Sequence, residues 1–259
     1  LLWVGSASDD DVLRFDADSG DYVRPPLEAG AGVTDVHARY GRLWVAKQTT
    51  RTLLRFDLQT ARRAGDAIAL PGEPFALGSG QGAVWVAVRE PDGVVRIDRQ
   101  TGAQRFIGVQ AGVRALAVGY GAVWVTNTAS ATVTRIRLSD ERQDVINVGS
   151  KPGWLSVGDG VWVANEGEST ITRISPRTLE PRFVDVGAQP ARVASGEGLV
   201  WVTRRREGDV VRVDTGSREV VGEPIETGRG PFAIVLDEDF VWVSVLSEDK
   251  VLRIATPRR

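Results

Sequence analysis

Three phased signals in the 259-residue sequence predict an all-β fold: a β-propeller of four-stranded antiparallel blades, seven in number, with six as the alternative. The first signal is Trp-Val, which recurs at Trp3, Trp44, Trp85, Trp124, Trp162, Trp201 and Trp242, at spacings of 41, 41, 39, 38, 39 and 41 residues. The second follows eight to ten residues later and centres on arginine: Leu13-Arg14-Phe15, Leu54-Arg55-Phe56, Val95-Arg96-Ile97, Thr134-Arg135-Ile136, Thr172-Arg173-Ile174, Val211-Arg212-Val213 and Leu252-Arg253-Ile254. The third lies between units and reads Gly-x-x-Pro-x-x-apolar, clear at 149–155 and 187–193 and weaker around Pro74, Val113 and Pro231.

Each signal reads as a strand. The segments are short, rich in Val, Ile, Phe and Trp, and bounded by glycine or by Asp, Ser and Thr turns, with no competing helical stripe. Ala83-Val84-Trp85-Val86-Ala87 is apolar at even and odd positions alike, so both faces of its sheet must be covered. Tyr40-Gly41, Gln81-Gly82, Tyr120-Gly121, Asp159-Gly160 and Glu197-Gly198 precede the Trp strands, where tight hairpins favour positive φ, and Asp239 holds that place in the last copy. A second turn, Asp16-Ala-Asp-Ser-Gly20 or Asp98-Arg-Gln-Thr-Gly102, leads to an outer strand such as 103–109. The unit of about 40 residues cannot bury its own faces, so residues 1–259 are expected to form one domain of stacked blades. The first copy lacks an upstream innermost strand and the last lacks an outer one, which leaves the closure open.

Composition narrows the function. The chain is 42% hydrophobic and 25% charged, with 32 Lys and Arg against 34 Asp and Glu, so it offers no global positive field for nucleic acid. No run approaches the roughly 18 to 20 apolar residues of a membrane span, and Val113 to Thr126 is interrupted by Arg114 and glycines. Without cysteine there are no thiolate ligands, thiol nucleophiles or disulfides, and His37 is the only histidine. The first residue is Leu1 and methionine is absent, so the expectation is a processed or trimmed piece, tethered in its full form through a removed N-terminal span.

The repeat Gly-Ala-Val-Trp-Val, followed by Thr-Val-x-Arg-Ile and Val-Gly-x-x-Pro, resembles the YVTN-type, virginiamycin B lyase-like and NHL-like propeller repeats, the last including extracytoplasmic sensor domains of bacterial receptor Ser/Thr kinases. The resemblance spans essentially the whole chain and implies a non-catalytic, extracytoplasmic bacterial module that binds a small molecule, peptide or protein, without cofactor. Its lyase branch implies instead a metal-assisted elimination through a histidine with acidic partners, where His37 with Asp35 and a divalent metal such as Mg²⁺ would have to serve. No catalytic residue is carried over on that basis. A structural interaction platform is the third class, because propeller families share blades and differ in activity.

Candidate site residues are those by which the copies differ near the loop face. Lys47, Arg51, Arg89, Arg204, Arg205 and Arg206 could form a basic arc for a carboxylate, phosphate or acidic peptide, against the plainer reading of a solvated rim with Glu90, Glu166, Glu168 and Glu207 as neighbours. Asn127 and Asn165 occupy matching places after their Trp-Val pairs. Trp154 is the one tryptophan outside the repeat, and Phe75, Arg114, Arg192 and Phe232 hold nearby repeat positions, where an aromatic and arginine set would suit stacking or simply fill space between blades. Asp35, His37 and Arg39 alternate along an innermost strand and so share a face, as a proton carrier with its orienting carboxylate or as a hydrogen-bonded gap filler. Asp9-Asp10-Asp11 and the Asp16–Asp21 run suggest Ca²⁺, but the second run matches the turns of other blades and no metal site is assigned. The recurrent arginines are expected to be a lattice position.

Overall fold

The computed structural model describes residues 1–6, 11–237 and 239–256. Seven antiparallel sheets follow one another along the chain, and these are the blades of an all-β, seven-bladed β-propeller. Each Trp-Val copy builds its own sheet, which sets the six-bladed alternative aside. Helix is confined to one 3-10 turn at Leu246–Glu248 among the described residues.

The chain forms two compact units, Leu1–Leu116 and Ala117–Arg259. Unit 1 holds the three-stranded sheet β1 (Leu2–Gly5), β2 (Asp11–Phe15), β3 (Leu27–Glu28) and the four-stranded sheet β4 (Val33–Arg39), β5 (Arg42–Lys47), β6 (Thr52–Asp57), β7 (Ile68–Ala69). Its third sheet is β8 (Glu73–Gly80), β9 (Ala83–Arg89), β10 (Gly93–Asp98), β11 (Gln104–Gly108), and β12 (Val113–Gly119) begins the fourth. That sheet continues with β13 (Ala122–Asn127), β14 (Thr132–Arg137) and β15 (Gln143–Asn147). Unit 2 adds β16 (Pro152–Gly158), β17 (Gly160–Asn165), β18 (Thr170–Ile174), β19 (Pro181–Asp185), then β20 (Pro190–Gly196), β21 (Leu199–Arg204), β22 (Asp209–Asp214), β23 (Val220–Glu226). A three-stranded sheet, β24 (Pro231–Leu236), β25 (Phe240–Val245) and β26 (Lys250–Ala255), comes last.

The Trp strands are buried on both faces because sheets stack within each unit. In unit 1, Trp44, Leu53 and Leu70 meet Leu77, Val84 and Val86 of the following sheet. In unit 2, Trp162, Ile171 and Val184 meet Val193, Val200 and Val202. The repeated arginine has a structural partner: strand register sets Trp3, Trp44, Trp85, Trp124, Trp162, Trp201 and Trp242 directly opposite Arg14, Arg55, Arg96, Arg135, Arg173, Arg212 and Arg253. Most of these guanidiniums lie 5.6 to 6.0 Å from the indole centroid, a cation–π contact across the pair. The lattice position expected of these arginines is therefore a cross-strand pairing.

The Asp that ends the arginine strand closes the next turn. Asp16, Asp57, Asp98 and Asp214 each accept two backbone N–H groups through Oδ1, so the Asp16 run is the shared turn of the repeat. Asp9 and Asp10 lie outside the described residues. The Gly-x-x-Pro signal is explained just as locally. Proline opens β16, β20 and β24, an edge position where its missing N–H is harmless, and a register shift follows at once between Pro152 and Leu155, Pro190 and Arg192, and Pro231 and Ile234.

Candidate ligand-binding site

These bulges aim side chains out of the sheets at the opening ends of the first strands, and cations and aromatics collect there. In unit 2, the Arg192 guanidinium lies 3.3 Å from the Trp154 ring centroid and 4.3 Å from that of Phe232. Arg205, exposed on the loop after β21, reaches within 5.6 Å of the Phe232 ring. Trp154, Phe232 and Arg192 are each half-buried, so the stack of ring, cation, ring and cation keeps a wet edge. The backbone beneath is held by Thr203, whose Oγ1 donates to the carbonyls of Arg192 and Phe232 and accepts from the Arg192 N–H. Glu166 adds a carboxylate beside Gly153, where a Cβ would stand 2.1 Å from Glu166 Oε1.

In unit 1, Phe75 sits in the bulge of β8 and carries the Arg89 guanidinium 3.9 Å from its centroid. Arg89 Nε donates to the Val113 carbonyl, which brings the side chain beside Arg114. Burial, then repulsion from Arg114, pushes the Arg89 pKa below its ordinary value, while Asp92 and Glu73 act against the shift.

The other cations are tied individually. Lys47 Nζ donates to the Ala29 carbonyl at 2.8 Å. Arg204 grips Asp209 through Nε and Nη2 at 2.7 and 2.5 Å and donates to the Val186 carbonyl, and the Asp209 hydrogen bond raises its pKa. Asn127 and Asn165 are fully buried at the ends of β13 and β17, where Asn127 Nδ2 donates to Thr132 and Thr134 hydroxyls and Asn165 Nδ2 to those of Thr170 and Thr172. The structure does not bring either amide to an open surface.

On β4, His37 Nε2 pairs with Ser79 Oγ on β8 at 2.9 Å, and burial, then Arg39, lowers the imidazole pKa. Asp35 accepts the Val36 N–H through Oδ1 and the Leu77 N–H through Oδ2. Among the described residues no three His, Cys, Asp or Glu side chains gather as a divalent cation would need. Ser79 had no sequence signal, because it stands 42 residues from His37 and only sheet stacking joins them.

Fold and clusters together define a class: a seven-bladed propeller with cation–aromatic clusters where its blades open. No protein-family model matches the sequence, and no curated protein does either. Among solved structures, virginiamycin B lyase from Staphylococcus aureus is similar with a TM-score of 0.84 and 17% identity, over 98% of this chain and 91% of that one. A functionally unknown protein from Desulfotomaculum acetoxidans is similar at 0.81 and 12% identity, covering 98% of this chain and 91% of that one. The WD40 repeats of RRP9 are similar at 0.80 and 13% identity, over 94% and 83% of the two chains. At these identities the shared property is the β-propeller fold.

Proposed function

We propose that this propeller is a non-catalytic binding module that receives an anionic, ring-bearing ligand or peptide at Trp154, Arg192, Phe232 and Arg205, and that it serves as the extracytoplasmic sensor domain of a bacterial receptor of the YVTN and NHL-like kind. The observation that carries the binding reading is the Arg192 guanidinium between two aromatic faces. Stacking fixes the plane of the cation, and the rings supply apolar contact at little cost in side-chain entropy. The test is a panel of aromatic carboxylates and acidic aromatic peptides, followed by intrinsic tryptophan fluorescence and titration calorimetry. Arg192→Gln and Phe232→Ala should each weaken a binder about tenfold or more, while Arg63→Gln at an exposed bridge position leaves it unchanged. Equal affinity in all three variants overturns the site.

The lyase reading makes a separate claim. Turnover of a substrate that vanishes in His37→Ala would replace the binding module with an enzyme. A membrane span and kinase segment encoded upstream of Leu1 would support the sensor assignment, and a cleavable signal peptide alone would count against it.

A further inference from the structure

We propose that Arg89 and Arg114, with Phe75 beneath Arg89, form an anion-binding site that takes a doubly charged oxyanion, the phosphate group being the type. The site shares no residue with the Trp154 stack and stands or falls by itself.

Three strands build it. The bulge of β8 sets Phe75 under the Arg89 guanidinium, the last residue of β9 supplies Arg89, and Val113 at the start of β12 accepts its Nε and places Arg114 alongside. Among the described residues, neither guanidinium forms an ion pair. The neighbouring carboxylates are engaged elsewhere. Asp92 accepts the Gly112 and Val113 N–H groups through its two oxygens at 3.0 and 3.1 Å. Glu73 is held by Gln48 at 2.9 Å and by Arg51 at 3.5 Å. Two half-buried cations thus lie near one another without an ion pair, Asp92 and Glu73 offsetting part of their repulsion from a distance, and a ligand carrying two negative charges would meet both guanidiniums.

Arg89 uses Nε on the Val113 carbonyl and its face on Phe75, which leaves the Nη edge for a bidentate grip. A carboxylate would neutralise one of the two charges. A phosphate, at roughly −1.5 to −2 near neutral pH, matches both.

The experiment is thermal unfolding and titration calorimetry of the whole chain in sodium phosphate, with sodium chloride and sodium acetate at the same ionic strength. Phosphate should raise the Tm of the native protein above either control. Arg114→Gln should abolish that rise, and in chloride it should unfold no earlier than the native protein, because it removes a repulsion and no ion pair. Arg89→Lys keeps the charge but loses the stack on Phe75 and the forked edge, so phosphate should bind it about tenfold more weakly. A phosphate effect no larger than that of chloride overturns the site. So does an effect that survives Arg114→Gln, and acetate acting as well as phosphate overturns the dianion assignment. Phenyl phosphate separates the sources: binding at least as tight as inorganic phosphate supports an ester on an organic ligand, and weaker binding supports the free anion.

Discussion

At the scale of single residues, the side chains that look catalytic are held by ordinary hydrogen bonds. His37 is half-buried against Ser79, and that burial followed by the Arg39 charge lowers its pKa below the usual 6.5, so the unfolded chain takes up the proton more readily than the folded one. Stability is therefore complete above the unfolded value. It falls as pH drops through that value and levels off once the folded imidazole is also protonated. Between about pH 8 and about pH 5 the Tm should decline, and His37→Gln, which can still reach Ser79, should flatten that decline. An unchanged slope in the variant would assign the effect to other groups. Asn127 and Asn165 carry a related lesson. Their position after Trp-Val is legible in the sequence, but strand alternation turns them inward onto threonine hydroxyls in place of the loop face.

At the scale of elements, each repeat signal has one local cause. Trp and Arg stand eleven residues apart because the hairpin of the second and third strands sets them opposite. Four of the hairpins before the Trp strands use two left-handed residues, as at Tyr40 and Gly41, with φ of 56° and 69°. That is the geometry that matches strand twist. Glycine signalled the second position; the first is held by Tyr, Gln or Glu, and only the closed hairpin reveals it. The bulges that build the binding clusters depend on close backbone approach. A Cβ on Gly72, just before β8, would stand 2.3 Å from the Arg89 carbonyl oxygen. Gly72→Ala should cost about 1–3 kcal/mol in urea unfolding. Gly108→Ala, where the nearest atom is a Phe106 carbon at 3.9 Å, should leave stability almost unchanged. Equal effects would mean that the β8 opening is less tightly packed than its geometry states.

At the scale of the whole molecule, stability rests on seven tryptophans placed alike in the repeat and buried unequally. Trp85, Trp124, Trp162 and Trp201 are at most 1% exposed, while Trp3 in the first sheet is only half-buried. Trp162→Ala should cost about 3–5 kcal/mol in chemical denaturation, and Trp3→Ala distinctly less, because Trp3 stands on β1, the edge strand of its sheet, and is only half-buried. A uniform cost would show that position in the repeat matters more than burial. The sequence by itself determined the fold class, the seven copies, the short first and last sheets and the Asp-closed turns, because each depends on contacts within one repeat of about 40 residues. Tertiary structure alone decided the sites. Trp154, Arg192 and Phe232 lie 38 and 40 residues apart along the chain, Arg89 and Val113 24, and His37 and Ser79 42. Each set meets only where successive sheets stack and a bulge redirects a side chain, so spacing could nominate these residues, while stacking and charge selected which of them face one another.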